Sequence, residues 1–324
     1  MRVKISMQIA VIMTWIVTGV TSGCANERLL SDFAYLLSVG MNSSYVVYFQ
    51  PDDKRPEDYA MGQVYIYDVK NKTSNSLNSL KYCINFLKVH WSNDGETFLV
   101  SDGDSVECFT FSGNRKYTIY RTKEHEAILN IAISRDSRFI ALNTKCIGKD
   151  IDTQKVVLGQ IDSLPQFEVV YFGYDESIGE FLTIDMLFEE AGHFLLIRDL
   201  AGNLMKCSIN SPKSIVKIDS IAQLLYADSN SVYYTKSINL HNTLLKVDLV
   251  ELTKHVIMQS GKDDIRFIGL YDGRLSLNLS GNIMQFDKQG TYRGRMNMPV
   301  ENYIYLSDRI AIFERNRGLY LHEF

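Results

Sequence analysis

One pattern in this chain returns along its whole length: a polar turn opening on Asp or Asn, followed at once by an apolar, β-branched run. Trp91-Ser92-Asn93-Asp94-Gly95 runs into Thr97-Phe98-Leu99-Val100, and Ile133-Ser134-Arg135-Asp136-Ser137 runs into Phe139-Ile140-Ala141. Further copies centre on Asp228, Asp272 and Asp308, with weaker ones at Asn42 and Asp175. The seven anchors are spaced by 52, 42, 39, 53, 44 and 36 residues, a mean of about 44. A period of about 40–50 residues is that of a four-stranded propeller blade.

A second signature follows the anchors: an alternating run that closes on Asp and a turn. Examples are Val64–Asp68, Leu195–Asp199, Leu244–Asp248 and Ile283–Asp287. Alternation ahead of turn residues reads as a strand entering a hairpin. The unit is therefore strand a, turn, strand b, loop, strand c, turn, strand d, and no helical periodicity interrupts it after residue 30. The expected fold is all-β, a seven-bladed β-propeller occupying residues 24–324 as one domain, with six or eight blades as alternatives. A single sheet cannot bury both faces, whereas radial packing does so and leaves only short edges. The 19 Tyr and 16 Phe suit the large interfaces between blades. The last copy supplies only three strands, Tyr303–Leu306, Arg309–Glu314 and Gly318–Phe324. Residues Glu27–Phe33 are the candidate fourth strand that closes the ring.

Arg2 and Lys4 precede an apolar run from Ile5 to Val20, and small residues follow before Cys24. Charge, apolar stretch and small residues make a secretory signal pattern over residues 1–23, and the run is short for a membrane span. The small residues before Cys24 resemble the lipobox of bacterial lipoproteins, with Thr21 where that family usually carries Leu. The resemblance implies lipid attachment at Cys24, and Ala25 in the next position leans towards the outer membrane. An ordinary signal peptide cut near Ala25, giving a periplasmic or secreted soluble protein, and an uncleaved anchor stay open as alternatives.

Trp91-Ser92-Asn93-Asp94-Gly95 resembles the Trp-Ser-Pro-Asp-Gly turn of TolB-type and WD40-like propeller repeats, with Asn93 in place of Pro. The mature chain follows this repeat as a pattern, and one copy is close. The pairs that mark eukaryotic WD40 blades are not in place: no Trp-Asp pair ends a blade and no Gly-His pair begins one. What the resemblance implies is a ring used as a platform for a protein or peptide partner.

With 34 Lys and Arg against 38 Asp and Glu, the net charge is −4, and loss of residues 1–23 would make it −6. Nucleic acid requires concentrated positive charge and is not an expected partner. No nucleophile elbow, zinc motif, Walker loop or dinucleotide fingerprint occurs, so no catalytic residue, metal or cofactor is assigned. The six histidines lie singly, and Asp102-Gly103-Asp104 is too short for a calcium loop and reads as a b–c turn. Cys83, Cys108, Cys146 and Cys207 read as small buried residues, with Cys83–Cys108 the favoured bridge if any forms.

Loop length supplies the binding surface. The b–c loops Gln50–Gly62, Lys145–Lys155, Phe188–His193 and Lys236–Thr243 read as long insertions on one face of the ring. They offer Arg55, Tyr59, Lys149, Asp150, Glu189, His193, Asn239 and His241 as candidate contacts. The expectation is a non-catalytic scaffold in the cell envelope, its membrane contact made through the N-terminal lipid alone. The alternative is an envelope enzyme or glycan-binding protein that uses the central channel.

Overall fold

The computed structural model describes residues 27–323, apart from 33, 41–43, 53–59, 78–79, 92–96, 147–151, 162–165, 176–182, 240, 262–264, 280–281, 288, 297–302 and 316–317. The described elements are all strands. The first, β1 (Glu27–Asp32), is set aside by the chain until the end. Blade 1 is β2 (Tyr35–Val39), β3 (Tyr45–Pro51), β4 (Met61–Asp68) and β5 (Thr73–Ser76), with the short β6 (Tyr82–Cys83) also on β4. Blade 2 is β7 (Lys88–Trp91), β8 (Thr97–Ser101), β9 (Ser105–Thr110) and β10 (Arg115–Arg121). Blade 3 is β11 (Glu126–Ile133), β12 (Phe139–Cys146), β13 (Asp152–Gln160) and β14 (Glu168–Asp175). Blade 4 is β15 (Asp185–Phe188), β16 (Phe194–Arg198), β17 (Leu204–Ser208) and β18 (Ser211–Asp219).

Blade 5 is β19 (Ala222–Ala227), β20 (Ser231–Ile238), β21 (His241–Asp248) and β22 (Lys254–Ser260). Blade 6 is β23 (Ile265–Tyr271), β24 (Arg274–Leu279), β25 (Asn282–Phe286) and β26 (Tyr292–Met296). Blade 7 takes β27 (Tyr303–Leu306), β28 (Ile310–Arg315) and β29 (Gly318–Glu323) from the end of the chain. Its outer strand is β1, antiparallel to β29 from Glu27↔His322 to Asp32↔Gly318. The expected closure by the N-terminal segment is thus observed over Glu27–Asp32, and Phe33 lies outside the described residues.

Seven apolar clusters hold the ring, each filling the space between two consecutive blades. Between blades 3 and 4, for example, Val156, Leu158 and Val170 meet Ile184, Leu195 and Ile197. The cluster of Val46, Tyr48 and Tyr67 with Ile310, Ile312, Leu319 and Leu321 joins blade 7 to blade 1 and makes the circle complete. Blades 6 and 7 come close enough for their inner strands to pair at Gly269↔Leu306. A Cβ on Gly269 would lie 2.0 Å from the Leu306 carbonyl oxygen, so only glycine permits that approach.

Register shows how each blade twists. The b–c pairings run without a slip in all seven blades. The inner a–b pairings slip by one residue in five blades, leaving out Leu37, Leu129, Leu225, Ile268 and Ile304. Outer pairings slip in blades 2 to 7, while blade 1 ends on a short, fully exposed Thr73–Ser76. Bulges tighten the local twist and make an edge a poor template for another strand.

The repeat reading is corrected in blade 4. Asp175 is not an a–b turn anchor; it ends β14, and the a–b turn of blade 4 is Glu189–His193 between β15 and β16. Leu195–Asp199 accordingly lies on strand b and enters a b–c turn, one strand earlier than its repeat position suggested. Cys83, Cys108, Cys146 and Cys207 are free thiols, as the favoured reading expects, and the Cys83–Cys108 alternative is not formed; Cys108 and Cys207 are buried, while Cys83 and Cys146 are half-buried. Cys24 and the signal pattern fall outside the described residues.

Leu321 is fully buried on β29, against the β1 seam. Leu321→Ala is expected to cost about 3 kcal/mol, as a buried Leu→Ala does. Urea unfolding of the variant checks this, and a cost under about 1 kcal/mol would contradict a closed seam.

Candidate functional site

Alternating strand direction puts the b–c and d–a connections on one side of the ring, the loop face, and the a–b and c–d turns on the other, the turn face. On the loop face, a recess of about 260 Å³ opens between blades 4 and 5. Its walls come from three separated segments. The first is the b–c turn of blade 4, where Asp199 accepts the Asn203 amide at 2.8 Å and its carbonyl accepts the Gly202 amide at 2.9 Å. Gly202 adopts φ +79°. The second is the d–a connection Ser220-Ile221, and the third is the b–c hairpin of blade 5.

That hairpin corrects the expected long loop at Lys236–Thr243. The strands run on to Ile238↔His241, so the connection is a tight turn, of which Asn239 is described and Leu240 lies outside the described residues. Asn239 takes φ +52°, the left-handed conformation a two-residue hairpin demands and Asn tolerates. The polar residues of this segment give a tight turn the composition of a loop.

The floor of the recess is cationic and well anchored. Arg198 donates through Nε to the Ala222 carbonyl at 2.5 Å, and its Nη1 lies 3.1 Å from Asp185 Oδ2. Lys236 Nζ is 2.6 Å from Asp219 Oδ1. Asp219 Oδ2 also accepts the Tyr234 hydroxyl at 2.6 Å and Lys254 Nζ at 2.9 Å. Burial alone would raise the Asp219 pKa, but the bonds from Lys236, Tyr234, Lys254 and the Ser220 amide outweigh it and hold the carboxyl far below the usual range. The Thr235 hydroxyl donates to Gln223 Oε1 at 3.4 Å beside them. A guanidinium has five donors and an ammonium three, so Arg198 and Lys236 keep hydrogens in reserve for a ligand.

At the lip stands Ile221, 69% exposed with φ +54°. A β-branched residue in the left-handed region is strained. Its position is enforced: the Ala222 amide donates to the Gly202 carbonyl at 3.0 Å, and a Cβ on Gly202 would come 3.1 Å from Ile221 Cα. The molecule therefore holds an apolar side chain in water, in an unfavourable conformation, beside a polar recess.

The sequence-derived candidates divide accordingly. Asn239 and His241 belong to the hairpin whose Asn242 lines the recess. Glu189 and His193 lie at the opposite end of the ring, on the a–b turn of blade 4. There Glu189 is completely buried and accepts the amides of Ala191, His193 and Phe194, which makes it the organiser of that turn. Arg55, Tyr59, Lys149 and Asp150 lie outside the described residues. Arg198, Ile221, Gln223, Thr235 and Lys236 were not singled out from sequence, because they come together only when blades 4 and 5 pack. Among the described residues, no group of three His, Cys, Asp or Glu is placed to hold a metal ion.

No family model matches this chain, and no curated protein does. Solved structures do. An oligogalacturonate lyase in complex with manganese superposes with a TM-score of 0.65 at 10% identity, over 92% of this chain and 90% of that one. The oligogalacturonate lyase of Vibrio parahaemolyticus gives 0.61 at 10% identity, over 92% and 98%. The Cps50 (Swd1) β-propeller domain of Myceliophteria thermophila gives 0.60 at 12% identity, over 93% and 99%. At these identities the likeness establishes the fold: it is a β-propeller.

Asp219 carries a pH prediction. Its folded pKa is depressed, so its contribution to stability is present above the unfolded carboxylate range and fades as the pH falls through the folded value. Asp219→Asn is expected to lower stability by about 2 kcal/mol at pH 7, the scale of hydrogen bonds to a charged group. The gap to the parent should narrow below about pH 4, where the unfolded carboxylate titrates. Thermal melts across pH measure it; a gap that stays constant with pH would remove Asp219 as the keystone of this corner.

Proposed function

We propose that the protein is an exported, lipid-anchored propeller that acts as a non-catalytic scaffold, holding a protein or peptide partner on its loop face at the recess between blades 4 and 5. In this reading residues 1–23 are removed, Cys24 carries the lipid, and the ring resides in the cell envelope at the outer membrane. The observation that supports the binding role is Ile221. Strain of this kind persists where the surroundings enforce it and tends to mark working sites. An exposed aliphatic side chain next to spare guanidinium and ammonium donors combines the apolar contact and polar rim of a protein interface.

Two variants separate binding from folding. Ile221→Gly relieves the left-handed strain and leaves stability unchanged or raised by up to about 1 kcal/mol. Ile221→Asp places a charge where an apolar contact is required. Both are expected to lose the proteins that co-purify with the parent chain from intact envelopes, without a fall in melting temperature. Retention of the same partners by both variants would dispose of the recess as the docking point.

A second reading is an acidic oligosaccharide as ligand, favoured by Arg198, Lys236, Gln223 and Thr235 and by the two lyases among the similar structures. Titration calorimetry with oligogalacturonate distinguishes it. Binding that survives Ile221→Asp but is lost in Lys236→Ala would put a glycan in place of the protein partner.

A further inference from the structure

The described chain begins at a defined place on the ring. Because β1 pairs antiparallel with β29, Glu27 lies beside His322, at the end of blade 7 where β29 finishes and β28 starts. That end is the turn face. Cys24 precedes Glu27 by three residues, and an extended chain covers about 3.3–3.6 Å per residue. An acyl group on Cys24 would therefore hold this edge of the turn face within about 10 Å of the bilayer surface.

The chemistry around that point suits a lipid surface. A groove crosses the seam between blades 7 and 1, with Lys70 and Lys72 on one side and Arg309 on the other. It also carries Glu323, 3.4 Å from Lys72, and Asp308, which accepts the backbone amide of Asp272, so its three cations exceed its carboxylates by one. Lys70 is exposed and has no carboxylate partner among the described residues. On the adjoining c–d turn of blade 2, Phe111 is 50% exposed and rests on Tyr45 with ring centroids 5.8 Å apart. Cations for phosphate headgroups and an apolar ring beside them are the two elements of a peripheral membrane contact.

We propose that the turn face across blades 7, 1 and 2 docks on an anionic lipid bilayer, with Phe111 at the interface and Lys70, Lys72 and Arg309 on headgroup phosphates. The ring then stands turn face down, and the recess between blades 4 and 5 faces away from the membrane. The proposal rests on the lipid-anchor reading above and adds an orientation to it.

The test uses the chain with its native N-terminus, purified from membranes and reconstituted into phosphatidylethanolamine–phosphatidylglycerol vesicles that contain doxyl-labelled lipid. A fluorescent side chain is placed at position 111 in one preparation and at position 221 in another. The protein is expected to float with the vesicles, and the label at 111 to be quenched severalfold more than the label at 221. The double variant Lys70→Glu, Lys72→Glu should lower quenching at 111 while the protein still floats. Quenching at 221 equal to or greater than that at 111 overturns the orientation. Flotation with weak quenching at both positions overturns the docking contact and leaves the anchor standing. A chain that does not float overturns the anchor and the docking together.

Discussion

A ring of sheets has to close, and the other features of this molecule depend on how it does so. Blade 7 inherits three strands from one end of the chain and β1 from the other. Until that pairing forms, the cluster that Leu319 and Leu321 of β29 make with Val46 and Tyr48 of blade 1 lacks Leu30, which packs against it from β1. Apolar burial is the dominant favourable term in folding, and here it comes as seven interfaces of which one cannot exist without the two ends meeting. Closure also fixes geometry. The angles between successive blades must together make a full turn, and the one-residue slips in inner and outer pairings, set against unbroken b–c pairings, increase the local twist of each sheet.

Apolar packing cannot satisfy polar groups where blades meet, and the tyrosines take over there. Tyr120 donates to Glu126, Tyr171 to Asp199, Tyr226 to Glu190 and Tyr234 to Asp219, each bond crossing from one blade to the next. Burial, then the adjacent carboxylate, push all four phenols up, Tyr171 to about 12. The hydroxyl therefore stays protonated and remains a donor. Buried polar atoms are costly unless bonded, so these pairs let blades meet closely at sites where an all-apolar contact would strand a carboxylate.

The repeat was legible because its signal is local. An Asp that accepts the amides two and three residues on, as Asp228 does from Asn230 and Ser231, is turn chemistry written in adjacent residues. Blade 4 was misread for the same reason. Its turn is organised by Glu189 instead of Asp, while Asp175-Glu176-Ser177 upstream offers a closer imitation of the motif. The slipped inner strands also leave a trace in the sequence: doubled aliphatics such as Leu36-Leu37, Ile128-Leu129 and Leu224-Leu225 break strict alternation at the bulge. The recess could not be read at all. Arg198, Ile221 and Lys236 come from three segments whose meeting is a property of blade packing, and the strain at Ile221 exists only in the folded backbone.

Turns on both faces are organised by a carboxylate that accepts amides of its own turn, Asp102 and Asp199 on the loop face included, and what sets the recess apart is the donors it leaves over. On the turn face, the carboxylates of Asp68, Asp136, Glu189, Asp228, Asp248 and Asp287 accept amides from their own turns. Such turns are short and internally satisfied, so they make a rigid base with little left to recognise a partner in detail. The bilayer contact proposed for this face would need no such detail, only charge and apolar area. At the recess the balance is reversed. Arg198 and Lys236 are fixed in place by Asp185 and Asp219 yet keep donors unspent, and Ile221 is held out in water by the Gly202 turn. Recognition needs groups that are positioned but unsatisfied, because an already paired group gains nothing on binding and a mobile one must first be ordered. Among the described residues, blades 4 and 5 bring both conditions together on the side of the ring opposite the emerging N-terminal chain.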